Sequence, residues 1–546
     1  MRLPFQAPQP KLNKVLVARL TQLLTKAMEA QNQGDNHKAK ELYQQVVKIQ
    51  PANFECWHIL GVFEYQIKNY DEALKIFTKV ISIQPRFAPA HSNLGLVLQD
   101  LKRYKEAIAS YDKSLELDAS LYAAYNNRGN AFKDLGIFDK ALESYSMALI
   151  YLPDYAEAIY NLAEIYKCLH RFDDSLKYYD RAIHTRPNYA EAHNNRGLML
   201  QFLNRVDEAI QSFDRTLQIW PDYAPAHSNK SLALLVQGNY SEGFEEHEWR
   251  WRMKEFTSAQ RHFHQPQWDG SIAQLEGKTI LIHCEQGLGD TLQFCRYVPF
   301  VLETGARVLF EVQASVYGLM KQIINPECLI KQGDQIPDFD LHCPLISIVH
   351  CLRSSVARIP SRQSYLTVEE ATRNKWSSVL GQRVKPRIGY VWSGNVHHHN
   401  DFFRSIPLQT FLTHLISLSQ DFDCICLQKE FRTGELELLA QVPGWRDFSV
   451  GIVDFEDTAA LCELVDLVIT VDTSVAHLAA ALGRPTWVML PFAPDWRWLL
   501  EREDSPWYPS VKLYRQKSIS NWNSVLDPLT LEIKSRFGVS TVWLVS

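Results

Sequence analysis

The chain reads as an α-solenoid followed by an α/β domain built of two Rossmann-like lobes. Three observations give that reading. A 34-residue period runs through the first half, it stops near Trp249, and beyond about residue 277 apolar β-rich runs alternate with helical stretches.

The period is carried by several registers at once. Asparagine recurs at Asn93, Asn127, Asn161, Asn195 and Asn229. Proline recurs at Pro51, Pro85, Pro153, Pro187 and Pro221, with Ala119 in the vacant place. Small residues stand at Gly61, Gly95, Gly129, Ala163 and Gly197, where the two helices of a unit must touch closely. A second small set runs Ala39, Ala73, Ala107, Ala141, Ser175, Ala209 and Gly243, and Tyr70, Tyr104, Phe138 and Phe172 open the second helices. Thirty-four residues is the length of the tetratricopeptide (TPR) unit, one helix–turn–helix per repeat. Each unit buries its apolar face on its neighbours, giving a one-dimensional stack. About six units are expected between Leu16 and Arg250, in a superhelix over residues 16–254 that follows an N-terminal extension, residues 1–15.

The asparagines sit on the first helix of each unit, two residues before the small position. First helices line the concave face of such a stack. With helices packed about 8–10 Å apart, adjacent amides are separated by about two to three residues of extended chain. An amide both donates and accepts, so the row is suited to hold a polypeptide backbone of any sequence. The alternative is that the amides bond between repeats or face water. His91, Tyr125, His193 and His227 form a further register, expected on the groove wall.

Composition narrows the partners. The chain has 546 residues, 46% hydrophobic and 22% charged, with a net charge of −5. That is ordinary for a soluble globular protein, and no basic block points to nucleic acid or anionic membrane. The first residues lack the apolar core of a secretory signal, and no run of about 18 apolar residues predicts a membrane span. The ten cysteines show no paired spacing, which predicts buried free thiols in a reducing, cytoplasmic setting.

In the second half, strands are expected at Thr279–Cys284, Val308–Val312, Arg387–Val391, Cys424–Leu427, Leu467–Val471, Thr486–Leu490 and Val511–Tyr514. Strands alternating with helices predict largely parallel sheets. Their two clusters predict an N-lobe over residues 277–385 and a C-lobe over 386–546, with a cleft between. Residues 255–276 form a connector, which His264–Gln265–Pro266–Gln267–Trp268 packs through its tryptophan.

Two segments carry chemistry. The first, Glu285–Gln286–Gly287–Leu288–Gly289–Asp290–Thr291, joins a strand to a helix. Gly287 and Gly289 allow the tight turn, and a carboxylate at a cleft-facing helix start, Asp290, is placed to accept a proton from an attacking hydroxyl or to cap the helix. The second is Asp472–Thr473–Ser474–Val475–Ala476–His477, a strand end that opens an alanine-rich helix. Its terminus presents hydroxyls and amides to a diphosphate, with His477 one turn inside.

These segments, with Trp392–Ser393–Gly394–Asn395, Arg404–Ser405–Ile406–Pro407–Leu408, Leu427–Gln428–Lys429 and Pro494–Asp495–Trp496–Arg497–Trp498, resemble bacterial proteins that fuse TPR repeats to a heptosyltransferase-like glycosyltransferase domain of GT-B fold. The layout is similar to flagellin glycosyltransferases and O-GlcNAc transferases. The resemblance implies Asp290 as catalytic base. It implies Gly287, Gly289, Asn395, Arg404, Gln428, Lys429, Asp472, Thr473, Ser474 and His477 around a nucleotide-sugar, with Lys429 and Arg404 neutralising the leaving diphosphate. The asparagine row then holds the acceptor. No metal or other cofactor is expected, and Asp338–Phe339–Asp340 and Asp421–Phe422–Asp423 lead into strands rather than follow them. Val396, Phe402 and Phe403 stand where such relatives carry proline and arginines, so the loop loses positive charge.

The expected activity is inverting transfer of a sugar to Ser or Thr of a protein held in the TPR groove. Two alternatives stay open: an acceptor that is a glycan or lipid-linked sugar, and a non-catalytic interaction scaffold.

Overall fold

The computed structural model describes residues 14–539 except residues 255, 257, 259 and 399. Most of the expected N-terminal extension, and the last seven residues of the expected C-lobe, therefore lie outside the described residues. The chain divides into two compact units, one ending at Ala192 and the other beginning at His193. The division falls inside the helix Ala190–Phe202.

The first unit is solenoid. Helix pairs run Lys14–Asn32 with Asn36–Ile49, Phe54–Gln66 with Tyr70–Ile83, Ala88–Asp100 with Tyr104–Leu117, Tyr122–Asp134 with Phe138–Tyr151, and Ala156–Cys168 with Phe172–Thr185. The helices Ala190–Phe202, Val206–Ile219, Ala224–Val236 and Tyr240–His247 continue the series, making seven pairs among the described residues rather than six. The first two pairs lack the asparagine, and the first keeps Ala27 and Ala39, both fully buried, in the two small-residue registers.

The glycine register has a steric cause. A Cβ on Gly61 would lie 2.8 Å from the Phe77 ring, on Gly95 2.6 Å from Tyr111, and on Gly129 2.5 Å from Tyr145. Each ring comes sixteen residues later, on the second helix of the same unit. The histidine register is not a groove wall. His91 Nε2 bonds the Pro85 carbonyl at 3.0 Å, and His227 Nε2 bonds that of Pro221 at 2.8 Å. These side chains pin the turn that precedes their own helix.

The second unit holds the last solenoid helices and two parallel sheets. The strands are β1 Thr279–His283, β2 Arg307–Val312, β3 Leu329–Lys331, β4 Leu341–Pro344, β5 Arg387–Val391, β6 Asp423–Cys426, β7 Trp445–Arg446, β8 Leu467–Val471, β9 Thr486–Leu490 and β10 Val511–Arg515. All seven expected strands are present; β3, β4 and β7 are additional and short. The sheet orders are β3-β2-β1-β4 and β10-β9-β8-β5-β6-β7. Both reverse direction beside their first strand, between β1 and β4 and between β5 and β8. In doubly wound sheets, ligands bind beyond the strand C-termini at such a reversal.

Buried apolar runs explain the strands: β5, β8 and β9 are buried at every position. Cys424 and Cys426 share one face of β6 and enter the core of the second sheet. All ten cysteines are free thiols, eight of them buried. The Trp268 indole is buried, and its backbone N–H donates to His342 of β4 at 2.8 Å, so the connector latches the sheet edge. Asp340 directly precedes β4, and its carboxylate accepts from Thr279 N–H at 2.9 Å. No described helix is long and apolar enough to cross a membrane.

Gly129→Ala is expected to destabilise the solenoid despite alanine's better helix propensity. The Tyr145 ring is fully buried and tethered through its hydroxyl to Asn130 at 2.8 Å, so it cannot yield. Overpacking of this kind costs about 1–3 kcal/mol, read as a lower urea midpoint of the helical signal.

Candidate active site

The two chemical segments meet. Asp290 lies on the short helix Leu288–Phe294 that follows β1, and Ser474–Ala481 is the helix that follows β8. They pack so closely that a Cβ on Gly289 would lie 3.0 Å from His477 Cδ2 and 3.5 Å from Ser474 Cα. The turn into the first helix is strained, with Gln286 at φ 56°, a region that non-glycine residues rarely enter.

Asp290 does two things. Its Oδ2 accepts from Gly287 N–H at 2.8 Å, a helix-capping bond, while its Oδ1 forms an ion pair with Arg497 Nη2. The Asp290 side chain is 12% exposed. Burial raises its pKa, with Asp495 adding to the rise, while Arg497 and the Gly287 amide pull against it. The result is a carboxylate more basic than an exposed aspartate.

Arg497 is the hub. Nη1 donates to Asp495 Oδ1 at 2.9 Å and Nε donates to Gln293 Oε1 at 2.8 Å. Burial works against its charge, but Asp495 and Asp290 hold the proton on. Asp472 feels burial first and then the Asp495 charge, which together raise it to about 6. Asp495 is lowered: burial opposes the shift, and the adjacent Arg497 outweighs it.

His477 is buried and stacks on Trp498 with ring centroids 5.3 Å apart. Its Nδ1 bonds the Tyr508 hydroxyl at 2.9 Å. Burial lowers its pKa to about 3, with help from Arg497 and Arg296, so the ring is neutral. Thr473 stands at the N-cap of the Ser474 helix, and its side chain makes no capping bond. Its hydroxyl instead meets that of Thr470 at 3.1 Å.

The Trp392–Asn395 and Arg404–Ile406 segments form one local unit beside β8. Gly394 N–H donates to Ser405 Oγ at 3.0 Å, and Ile406 N–H to the Trp392 carbonyl at 2.8 Å. A Cβ on Gly394 would lie 2.7 Å from Arg404 Nε, so glycine lets the guanidinium cross over the loop. Arg404 Nη1 then reaches the Asp472 carbonyl at 3.2 Å. It thereby spans the reversal between β5 and β8.

Other expected site residues stand elsewhere. Gln428 is a brace: Oε1 accepts from the Ser393 and Trp392 amides at 3.1 and 3.3 Å, and Nε2 donates to the Glu430 carbonyl at 2.8 Å. Lys429 follows β6, two strands from β8, and its ammonium donates to the carbonyls of Ile452 and Val453 at 2.8 and 3.1 Å. Asn395 is exposed and turns its own loop, accepting from His397 N–H at 2.9 Å. Trp392 belongs to the core; it is fully buried and stacks on Phe411 at 5.3 Å.

The asparagines form a pattern different from an even row. In the first unit, Asn161 Nδ2 donates to Asn126 Oδ1 at 2.9 Å, and Asn126 Nδ2 to Asn127 Oδ1 at 3.4 Å. Asn93 Nδ2 bonds His58 Nε2 at 2.8 Å. In the second unit, Asn229 donates to Asn194 at 3.0 Å and Asn194 to Asn195 at 2.9 Å. Asn93, Asn161 and Asn229 therefore bond between repeats, the alternative left open above, while all five stay partly exposed.

One buried cluster gave no signal in the sequence. Arg250, at the end of the solenoid, forks onto Glu285 with Nε–Oε2 and Nη2–Oε1 both 2.8 Å. Glu285 also accepts from Ile346 N–H at 3.1 Å, and Arg250 donates to Ser347 Oγ and Glu248 Oε1, each at 2.8 Å. The pair fills the reversal between β1 and β4 and immediately precedes the Asp290 turn. Nearby, Tyr240 and Phe244 of the last solenoid helix meet Trp496 edge-on at 6.0 and 5.5 Å.

Comparison with known proteins agrees with this architecture. Residues 88–121, 122–155, 24–89 and 169–224 match the tetratricopeptide repeat. Residues 441–489 match glycosyltransferase family 9 (heptosyltransferase). That stretch contains β8 and the Thr473–His477 turn; Asp290 lies outside it. The chain is thus similar to tetratricopeptide repeats in its first half and to glycosyltransferase family 9 over residues 441–489. Protein FlbA of Caulobacter vibrioides is 25% identical over 331 residues, covering 55% of this chain and 53% of FlbA. The chain accordingly spans about half the length of that curated relative. Among solved structures, YrrB, described as a TPR protein with an unusual peptide-binding site, is 26% identical over 32% of this chain and 89% of its own, with a TM-score of 0.28. MamA is 24% identical over 30% and 96%, also at 0.28.

Removing one member of the Arg250–Glu285 pair leaves the other charge buried and uncompensated, at a cost of about 3–5 kcal/mol. Arg250→Met and Glu285→Leu are each expected to lower Tm strongly, and the double variant is expected to recover much of the loss in thermal melts.

Proposed function

We propose that the protein is an inverting glycosyltransferase of GT-B type that moves a sugar from a nucleotide-sugar to a Ser or Thr hydroxyl of a protein. The observation that carries this reading is the contact between the Gly289–Asp290 turn and the Ser474–His477 turn, with Arg497 joined to Asp290. That contact brings a carboxylate and a helix start of the kind that suits a diphosphate close together.

In this reading the diphosphate lies at the N-terminus of the Ser474–Ala481 helix, against Thr473 and Ser474, where the helix dipole and open amides favour an anion. Arg404 and Arg497 supply positive charge. Raised to about 6, Asp472 is partly protonated near neutrality and repels the diphosphate less. The acceptor oxygen attacks the anomeric carbon, its proton passes to Asp290, and the bond to the β-phosphate oxygen breaks with its electron pair on the departing nucleoside diphosphate. Stabilising that charge commonly supplies most of the rate acceleration at such a site. In this reading the guanidinium groups and the helix terminus carry the leaving group's charge without a metal or other cofactor. On the same reading, the partly exposed asparagines of each unit offer amides to the acceptor.

The family 9 match favours one second reading, a glycan acceptor, with the repeats serving to dock partners.

Asp290→Asn is expected to lower transfer by about 10²–10⁴-fold while nucleotide binding survives. A thermal-shift panel of nucleotides checks the latter: a ligand at 100 times its Kd stabilises by about 2.7 kcal/mol. Unchanged turnover removes Asp290 from the base role, and failure of the wild type to bind any nucleotide returns the scaffold alternative. Asn127→Ala, Asn161→Ala and Asn195→Ala combined are expected to abolish protein modification while donor hydrolysis continues. Full protein modification by that variant would remove the asparagines from acceptor binding, and wild type that glycosylates a glycan but no protein would favour the glycan acceptor.

A further inference from the structure

We infer that Arg497 is a second catalytic residue, a cation that first keeps Asp290 ionised and then stabilises the negative charge arriving on the leaving diphosphate. This rests on the reading of Asp290 as base. During transfer the charge moves. It begins on the Asp290 carboxylate, disappears there when the acceptor proton arrives, and reappears on the phosphate oxygen as the glycosidic bond breaks. A fixed cation between the two places favours the start and the finish alike and does not need to move.

Arg497 has the geometry for this. Its guanidinium offers five N–H groups in a rigid fork. Among the described residues three have partners: Asp290, Asp495 and Gln293. Asp495 and Gln293 hold the group in place, while Asp290 is the partner that loses its charge in the reaction. The Arg497 side chain is 12% exposed. Its guanidinium also stacks over Trp496 at 4.5 Å, and Trp496 is clamped by Tyr240 and Phe244. The charged and titratable groups around it are Asp290 and Arg296 from the first lobe, Asp472, His477, Asp495, Arg404 and Tyr508 from the second, and Tyr240 and His247 from the last solenoid helix. Arg404, over Gly394, is the other cation beside Asp472, and it makes no bond to Asp290.

The test compares wild type, Arg497→Gln and Arg497→Lys in steady-state transfer across pH, with UDP, GDP and ADP affinities measured by calorimetry. Removing the cation removes an influence that holds the Asp290 pKa down. In Arg497→Gln the acid limb of kcat/KM therefore moves to higher pH by about one unit or more, kcat falls at least about 100-fold, and the nucleoside diphosphate that wild type binds is held about 10-fold more weakly. Arg497→Lys, which keeps the charge but loses the fork, is expected to leave the limb near its wild-type position and lose less in kcat. A merely structural role would not move the limb. Active wild type with an unmoved limb and unchanged diphosphate affinity in Arg497→Gln overturns the role of Arg497 alone. If Arg497→Gln does not fold, an Arg497→Lys variant with wild-type kcat and diphosphate affinity overturns it equally, because the fork would then be dispensable. Wild type that is inert with every donor overturns the transferase reading beneath it.

Discussion

The buried ion pair between Arg250 and Glu285 is the constraint on which the rest of the second unit depends. Burial of both charges is costly, and the forked bonds, the Ile346 amide and Ser347 offset that cost only while every member stays in place. The pair joins the end of the solenoid to the C-terminal end of β1. The next residues are Gln286, held at positive φ, then Gly287 and Asp290. A shift of Arg250 would therefore be felt at the Asp290 carboxylate. On the other side, Tyr240 and Phe244 fix Trp496, and its neighbour Arg497 completes the ion pair to Asp290. The last solenoid helices thus hold both halves of the candidate site.

The charges at that site are balanced by proximity rather than by number. Three carboxylates, Asp290, Asp472 and Asp495, surround Arg497, with Arg404 beside Asp472. Asp495 is lowered and Asp472 raised, so one remains charged while the other is prone to protonation near neutrality. His477 contributes shape: a neutral ring between Trp498 and the Gly289 turn. Arg404 and Arg497 are the positive charges of this cluster.

Much of the fold was legible in the sequence because its causes are local or periodic. A glycine that must accept a ring sixteen residues later leaves a register, as Gly95 and Tyr111 do. A strand buried on both faces leaves an apolar run, as β8 does. β3 and β7, three and two residues long, are too short to rise above their surroundings. The candidate site was legible where a motif has its own geometry, at Gly289–Asp290 and Thr473–His477. It was not legible where the partner lies far along the chain. Nothing near Arg250 announces Glu285, and nothing in Leu427–Gln428–Lys429 shows that Gln428 braces the Ser393 loop or that Lys429 engages two carbonyls. The asparagine register was visible, but its hydrogen-bond partners stand 35 residues earlier, in a register where an amide stands only at Asn126 and Asn194 and a histidine at His58.

That last detail changes what counts as one module of the solenoid. His58, Asn126 and Asn194 are 68 residues apart, so the bonded amide sets alternate and the chemical period is double the structural one. Excising a single 34-residue segment would keep the helices in step yet bring the two kinds of neighbour out of phase at the splice. Excising 68 would preserve both rhythms. Length variation that respects the amide bonding is thereby quantised in twos.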